Sequence, residues 1–148
     1  KKLYFAMGFL SVIVFVSSVI AAQVKVDILK GAPSNPMVND ENRYDSHVTL
    51  FIENDDGSTK PAGWSTRSAE GGNGEPFTFM PGRGLIEGWT QGVLQMREGE
   101  HAKIHVPSSL GYGASEMGSE GSGWYIPANS NLLFDIEILG KHGAHREL

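Results

Sequence analysis

The side chains to test first for acid–base or metal chemistry are the five histidines, His47, His101, His105, His142 and His145. His101 and His105 lie in "EHAKIHVP", which alternates like a strand, so their even spacing places both on one face. A metal site needs further ligands at matched spacing. None accompanies them, so they are expected as solvated surface residues, with no metal and no cofactor. The chain has no cysteine, which excludes a disulfide scaffold, a thiolate nucleophile and a Cys-ligated zinc. It holds neither a G-x-S-x-G elbow nor a G-x-x-x-x-G-K-[ST] phosphate loop. "GGNG" and "PGRG" lack a phosphate-binding context and read as turns, and so do Asp55 and Asp56 in "DDG".

What remains is an aromatic and aliphatic set: Phe77, Phe79, Ile86, Trp89, Tyr112, Ile126 and Phe134. The ordinary fate of such residues is a hydrophobic core. Tyr112 argues for more. It stands between glycines in the loop sequence "LGYGA", and "YIPA" ends the same loop. An aromatic hydroxyl on a loop over an apolar floor suits a binding pocket.

The elements that must position this set follow from periodicity. "QVKVDI" alternates and reads as a strand. Residues 31–44 are a proline- and asparagine-rich loop. "HVTLFIEN" puts Val48, Leu50 and Ile52 on one strand face, and a hairpin-type turn follows at Asp55 to Gly57. Residues 58–75 read as a long polar loop with Trp64 stranded in it. "PFTFM" is a short strand with Phe77 and Phe79 on one face. "EHAKIHVP" is a strand ended by Pro107. A second long flexible loop follows, "SLGYGASEMGSEGSGWYIP", and "NLLFDIEILG" closes the domain with Leu132, Phe134, Ile136 and Ile138 facing one way. Several strands around one helix make the class α+β.

That helix is "LIEGWTQGVLQM", where Ile86, Trp89 and Val93 form one apolar stripe. It carries Gly88 and Gly92, each costing roughly 1 kcal/mol relative to alanine in a helix interior. At i and i+4 they leave one bare face where another backbone can come close. Trp89 is then expected as a floor with one ring face open to a pocket.

The ends of the chain say something else. After Lys1 and Lys2 comes an uncharged apolar run from Leu3 to Ala22. Its length suits either a cleaved secretory signal or a retained hydrophobic helix that anchors the chain in a membrane. Both place the rest on the translocated side. His145-Arg146-Glu147-Leu148 resembles the Lys/His-Asp-Glu-Leu retrieval signal of the endoplasmic reticulum, with Arg146 where aspartate is usual. The expected organisation is a leader or anchor over residues 1–22, one domain over 23–140, and a tail over 141–148. A net charge of −5 with no basic stripe argues against nucleic acid.

The order of motifs completes the reading. "EPFTFMPGRGLIEGWTQGVLQMREGEHAKIHVPSSLGYGA" followed by "IPANSNLLFDIEIL" resembles the FKBP family of peptidyl-prolyl cis–trans isomerases over residues 75–139. The leader and the Glu-Leu ending are similar to those of its small secretory-pathway members. The resemblance implies a strongly twisted antiparallel sheet wrapped around one short helix, with a pocket between them. It implies Trp89 as floor, Phe77, Leu85, Ile86 and Phe134 as walls, Tyr112 as hydroxyl donor to a substrate carbonyl, and Ile126 as a backbone N–H donor. The substrates it implies are proline-containing polypeptides, and the site of action is the endoplasmic reticulum lumen or the lumenal side of a membrane.

Two departures matter. The family strand before the Asp-Gly turn reads Val-His-Tyr-Thr-Gly, and counting back from Gly57 puts its pocket tyrosine on Leu50. The family's following Phe-Asp-Ser-Ser has its nearest counterpart in Trp64-Ser65-Thr66, without the acid. Leu50 and Trp64 are therefore expected as substrate-binding positions in a rebuilt rim, with catalysis weakened or substrate choice altered and macrolide immunosuppressants bound poorly. The alternative is a membrane-anchored binding or structural subunit of a larger complex that keeps the fold and has lost much activity.

Overall fold

A computed structural model describes residues 21–144. Residues 1–20 of the leader and the last four residues, on which the anchor and retrieval expectations rest, lie outside them. The elements run β1 (Lys25–Lys30), β2 (Tyr44–Glu53), β3 (Thr59–Ser65), β4 (Phe77–Phe79), α1 (Glu87–Val93), β5 (His101–Val106), β6 (Met117–Gly118), β7 (Tyr125–Ile126) and β8 (Asn131–Lys141). The main sheet has the order β1-β5-β8-β2-β3, with β4 also pairing β2. Every pairing in it is antiparallel. No helix among the described residues is long and apolar enough to cross a membrane.

The period-2 pattern decides which side is core. Val48, Leu50 and Ile52 of β2 and Leu132, Phe134, Ile136 and Ile138 of β8 all lie on the buried face. They pack in register, Leu50 opposite Phe134 and Val48 opposite Ile136. Ala102, Ile104 and Val106 of β5 continue that face, and α1 lies across it. At about 25 cal/mol per Å² of apolar surface buried, such a face is the main driving force of the fold.

Two stretches expected as loops are partly strand. Thr59–Ser65 pairs with β2 at the sheet edge, so Trp64 sits on a strand and is not stranded. Pro61 fits there because an edge strand does not need every N–H. In the second stretch, Met117 pairs Ile126 and Gly118 pairs Tyr125, making a small separate hairpin of β6 and β7. The Tyr125 hydroxyl donates to Glu116 Oε1 at 2.9 Å within it.

The helix is shorter than its sequence pattern. Ile86 is its extended N-cap, with φ −61° and ψ 149°. Beyond Val93 the chain tightens, Gln95 N–H to Gly92 O at 3.1 Å and Met96 N–H to Val93 O at 3.0 Å. Seven residues are marginal alone, so packing must hold the helix. The two glycines show how. A methyl at Gly88 would lie 2.1 Å from Val106 Cγ1, and one at Gly92 would lie 2.5 Å from Ile104 Cγ2. The bare face thus meets chiefly the branched side chains of β5 rather than another backbone, a correction to the sequence reading. The Leu110 carbonyl oxygen also lies 3.0 Å from the same methyl at Gly88.

The outer sheet face also differs from expectation. His101 and His105 do share a face, but they are half-buried and partnered rather than solvated. His101 Nε2 lies 2.7 Å from Asp135 Oδ1. His105 sits between two carboxylates, Glu53 at 2.9 Å from Nδ1 and Asp27 at 3.0 Å from Nε2. The cause is register: the outward residues are mostly polar, Phe51 and Leu133 excepted, and the antiparallel pairing sets each histidine diagonally across from an acid.

Candidate functional site

A cavity of about 620 Å³ opens between α1 and the concave side of the sheet, within the range of small-ligand sites. It is lined by Trp89, Phe77, Phe134, Leu50, Trp64, Leu85, Ile86 and Tyr112, together with Gly63, Gly84 and Trp124. Eight of the nine positions picked from sequence are thus brought together. The ninth, Ile126, is buried on β7 opposite Met117, and its side chain belongs to the core rather than to the lining.

Each wall has a structural cause. Trp89 is carried by α1, which the two glycines let down onto β5. Its ring meets the edges or faces of three phenylalanines, Phe134 at 5.1 Å, Phe79 at 5.2 Å and Phe77 at 5.7 Å, all near 85°. These are the favoured edge-to-face contacts. They also close the ring in. Trp89 is only 2% accessible, so the open ring face expected from sequence is reduced to a narrow exposure at the cavity. Its indole Nε1 is buried without a hydrogen-bond partner among the described residues. An unpaired buried donor costs about 1–3 kcal/mol, a cost that a phenylalanine at this position would not carry.

Trp64, on β3, turns its ring onto Phe77 at 5.5 Å and 89°. Trp124 was missed by sequence reasoning. It reaches the cavity because the backbones of β3 and the β6–β7 hairpin touch. Gly63 has φ +89°, and a methyl on it would fall 1.8 Å from the Gly123 carbonyl oxygen. Only glycine permits that approach. The signal was present: each of the three tryptophans follows a glycine, as Gly63-Trp64, Gly88-Trp89 and Gly123-Trp124. All three line the cavity.

The cavity's chemistry is apolar with few polar groups. Tyr112 carries the only hydroxyl among its lining residues, and none of them is an acid, a base or a lysine. The Tyr112 hydroxyl makes no hydrogen bond to another described residue. Partial burial pushes its pKa above the ordinary phenol value by penalising the charged form. Ile86, the N-cap of α1, lines the cavity, and in the first turn the Trp89 N–H is already bonded to the Ile86 carbonyl at 3.1 Å. With Leu50 facing Phe134, the position counted from sequence as the pocket tyrosine carries no polar atom. The arrangement can desolvate a flat apolar ring and donate a hydrogen bond from Tyr112 to a carbonyl. It cannot supply a proton-transfer pair.

Comparison with known proteins agrees with the geometry. The family model for FKBP-type peptidyl-prolyl cis-trans isomerases matches residues 37–139. FK506-binding protein 2 of Dictyostelium discoideum is 50% identical over 68 residues, 45% of this chain and 47% of that protein. Peptidyl-prolyl cis-trans isomerase FKBP2 of Homo sapiens is 44% identical over 66 residues, 44% of this chain and 43% of that protein. FK506-binding protein 1A of Neurospora crassa is 39% identical over 74 residues, covering 49% and 58%. The aligned stretch thus spans about half the length of the first two of these relatives.

Proposed function

We propose, from the premise that this chain belongs to the FKBP-type peptidyl-prolyl cis-trans isomerase family, that it accelerates rotation about X-Pro bonds in polypeptides. The observation that carries the reading is the Trp89-floored cavity, apolar, large enough for a prolyl residue and free of acid–base chemistry. That is what this reaction requires. Amide resonance sets a rotational barrier of about 18–20 kcal/mol, and no bond is broken on crossing it. In the twisted amide the resonance is lost and the carbonyl is less dipolar. An apolar cavity favours that state over the planar one, which is complementarity to the transition state. Trp89, Phe77, Leu85, Ile86 and Phe134 would hold the proline ring. Leu50 and Trp64 would shape the rim, and the Tyr112 hydroxyl would donate to a substrate carbonyl. A backbone donor at Ile126, implied by the family resemblance, would act from β7, next to the Trp124 that lines the cavity.

The test is a proline-isomerisation assay of the wild-type chain beside Tyr112→Phe. Losing one hydrogen bond of about 0.5–1.5 kcal/mol is expected to lower kcat/KM roughly 2- to 12-fold. The pH dependence has a sign. Because burial raises the Tyr112 pKa, the phenol stays a neutral donor as pH rises through the ordinary titration range near its onset. The difference between wild type and Tyr112→Phe should therefore stay constant from neutral to mildly alkaline pH. A gap that closes at mildly alkaline pH would show that the phenol ionises there and that burial does not raise its pKa; no gap at any pH would show that the hydroxyl is not the donor.

A second reading, binding with little turnover, draws on the rim, where Tyr112 supplies the only hydroxyl and no carboxylate is present. Wild-type turnover no faster than a Trp89→Ala variant would favour it. The expected placement on the translocated side, supported by the apolar run at residues 3–22, is part of the same proposal, as are membrane-complex partners under the second reading.

A further inference from the structure

Trp124 is a cavity residue to which the isomerase reading gives no part. Trp89, Phe77, Phe134 and Trp64, which line the same cavity, hold one another edge to face. Among the described residues the Trp124 ring contacts no other aromatic ring. It is 37% exposed, where Trp89 is 2% exposed. Packing of the core therefore does not account for Trp124. A large ring at the mouth of an apolar cavity still has surface to bury against a ligand.

The ring is nevertheless held in a fixed place. Gly63 of β3 comes so close that a methyl on it would fall 2.7 Å from Trp124 Cα. Gly118 of β6, with φ +73°, passes directly beside the indole. A methyl there would fall 2.3 Å from the Trp124 carbonyl oxygen and 3.1 Å from ring atom Cε2. Ser122 Oγ lies 2.8 Å from that carbonyl oxygen and 2.7 Å from the Ser119 carbonyl oxygen, which ties the turn of the hairpin to its strand. The indole thus rests on bare backbone at Gly118 and presents its exposed part from a constrained position. Trp89 and Trp124 line one cavity of about 620 Å³. Consecutive residues of a polypeptide are only about 3.8 Å apart, so a proline seated on Trp89 keeps its chain neighbour beside that same cavity.

We propose that Trp124 is a stacking surface for an aromatic side chain adjacent to the proline, so that the chain favours an aromatic neighbour over an aliphatic one of equal size. The proposal rests on the isomerase reading for the place of the proline, and its test separates the two. An offset or edge-to-face aromatic pair gains free energy beyond the area it buries. An aliphatic ring of the same size gains the area alone. An aromatic side chain also has few rotatable bonds to immobilise on binding.

Peptides with one X-Pro bond, carrying phenylalanine, cyclohexylalanine or alanine immediately before or immediately after the proline, are measured for binding by calorimetry and for isomerisation. Cyclohexylalanine keeps the size of the phenylalanine ring and removes its π-system. At one of the two positions the phenylalanine peptide is expected to bind about 2- to 12-fold more tightly than the cyclohexylalanine peptide, the range of an aromatic pair. Trp124→Leu should bring that ratio close to one, and Trp124→Tyr should keep it above one. A hairpin merely distorted by Trp124→Leu would weaken all the peptides alike and leave the ratio, which would overturn the proposal. Equal binding of the two ringed peptides to the wild-type chain at both positions would overturn it too, and turnover in that case would leave the isomerase reading standing. Phenylalanine-selective binding that depends on Trp124 but comes without turnover would sink the isomerase reading and leave the stacking surface. Absence of all peptide binding would overturn both.

Discussion

Trp89→Ala is expected to abolish measurable acceleration of X-Pro rotation and to lower the stability of the domain by about 3–5 kcal/mol, the range for large aromatic truncations in cores. The functional loss follows from position. Trp89 is the side chain that the cavity and three phenylalanine rings share. Removing it takes away both the surface under the prolyl ring and the packing that keeps Phe77 and Phe134 upright as walls. A loss of this size is a large part of a small domain's stability, typically 5–15 kcal/mol, so unfolding must be separated from loss of chemistry. Trp89→Phe does that. It keeps a ring against the three phenylalanines and removes the indole N–H that has no partner. The lost area is then offset in part by the relieved donor, about 1–3 kcal/mol. Trp89→Phe should stay folded by circular dichroism and denaturant melt, yet run well below wild type in the isomerisation assay. Full activity in Trp89→Phe would mean that any apolar ring serves and that the indole plane is not used.

The contrast between floor and rim explains what could be read from the chain. Val48, Leu50 and Ile52, like Leu132, Phe134, Ile136 and Ile138, alternate cleanly because one sheet face is buried and the other is wet. Such strands announce themselves. β3 does not, because it is an edge strand whose outward backbone and mostly exposed residues impose no pattern, and because Pro61 and Gly63 look like loop residues. β6 and β7 have two residues each, too few for any period. Both hidden elements carry a tryptophan to the cavity, so the unread part of the fold is the part that shapes the rim. The pairing of His101 with Asp135, and of His105 with Asp27 and Glu53, was equally illegible, since it depends on register across β1, β5, β8 and β2. The place of Trp89 at the cavity was legible because the apolar stripe of Ile86, Trp89 and Val93 marks the side of the helix that must meet the sheet.

Those glycines yield the second large effect, and its sign decides why they are there. If Gly88 were a tolerated irregularity, alanine would stabilise the helix by about 1 kcal/mol. The structure predicts the opposite. The new methyl would sit 2.1 Å and 2.9 Å from the two γ-methyls of Val106 and 3.0 Å from the Leu110 carbonyl. Both branches of Val106 crowd the site, so turning its side chain relieves little, and β5 is held by neighbours on both sides. Overpacking of this kind costs about 1–3 kcal/mol. The helix must lift from the sheet to accept it, and Trp89, the next residue, lifts with it. Gly88→Ala is therefore expected to lower the denaturation midpoint and kcat/KM together. The double variant Gly88→Ala with Val106→Ala removes the opposing methyls. It should be more stable than the sum of the two single changes predicts, by about 1 kcal/mol or more, the coupling expected for residues in contact. Additive effects would mean that the helix does not rest on Val106, and that the cavity floor is set by something other than this contact.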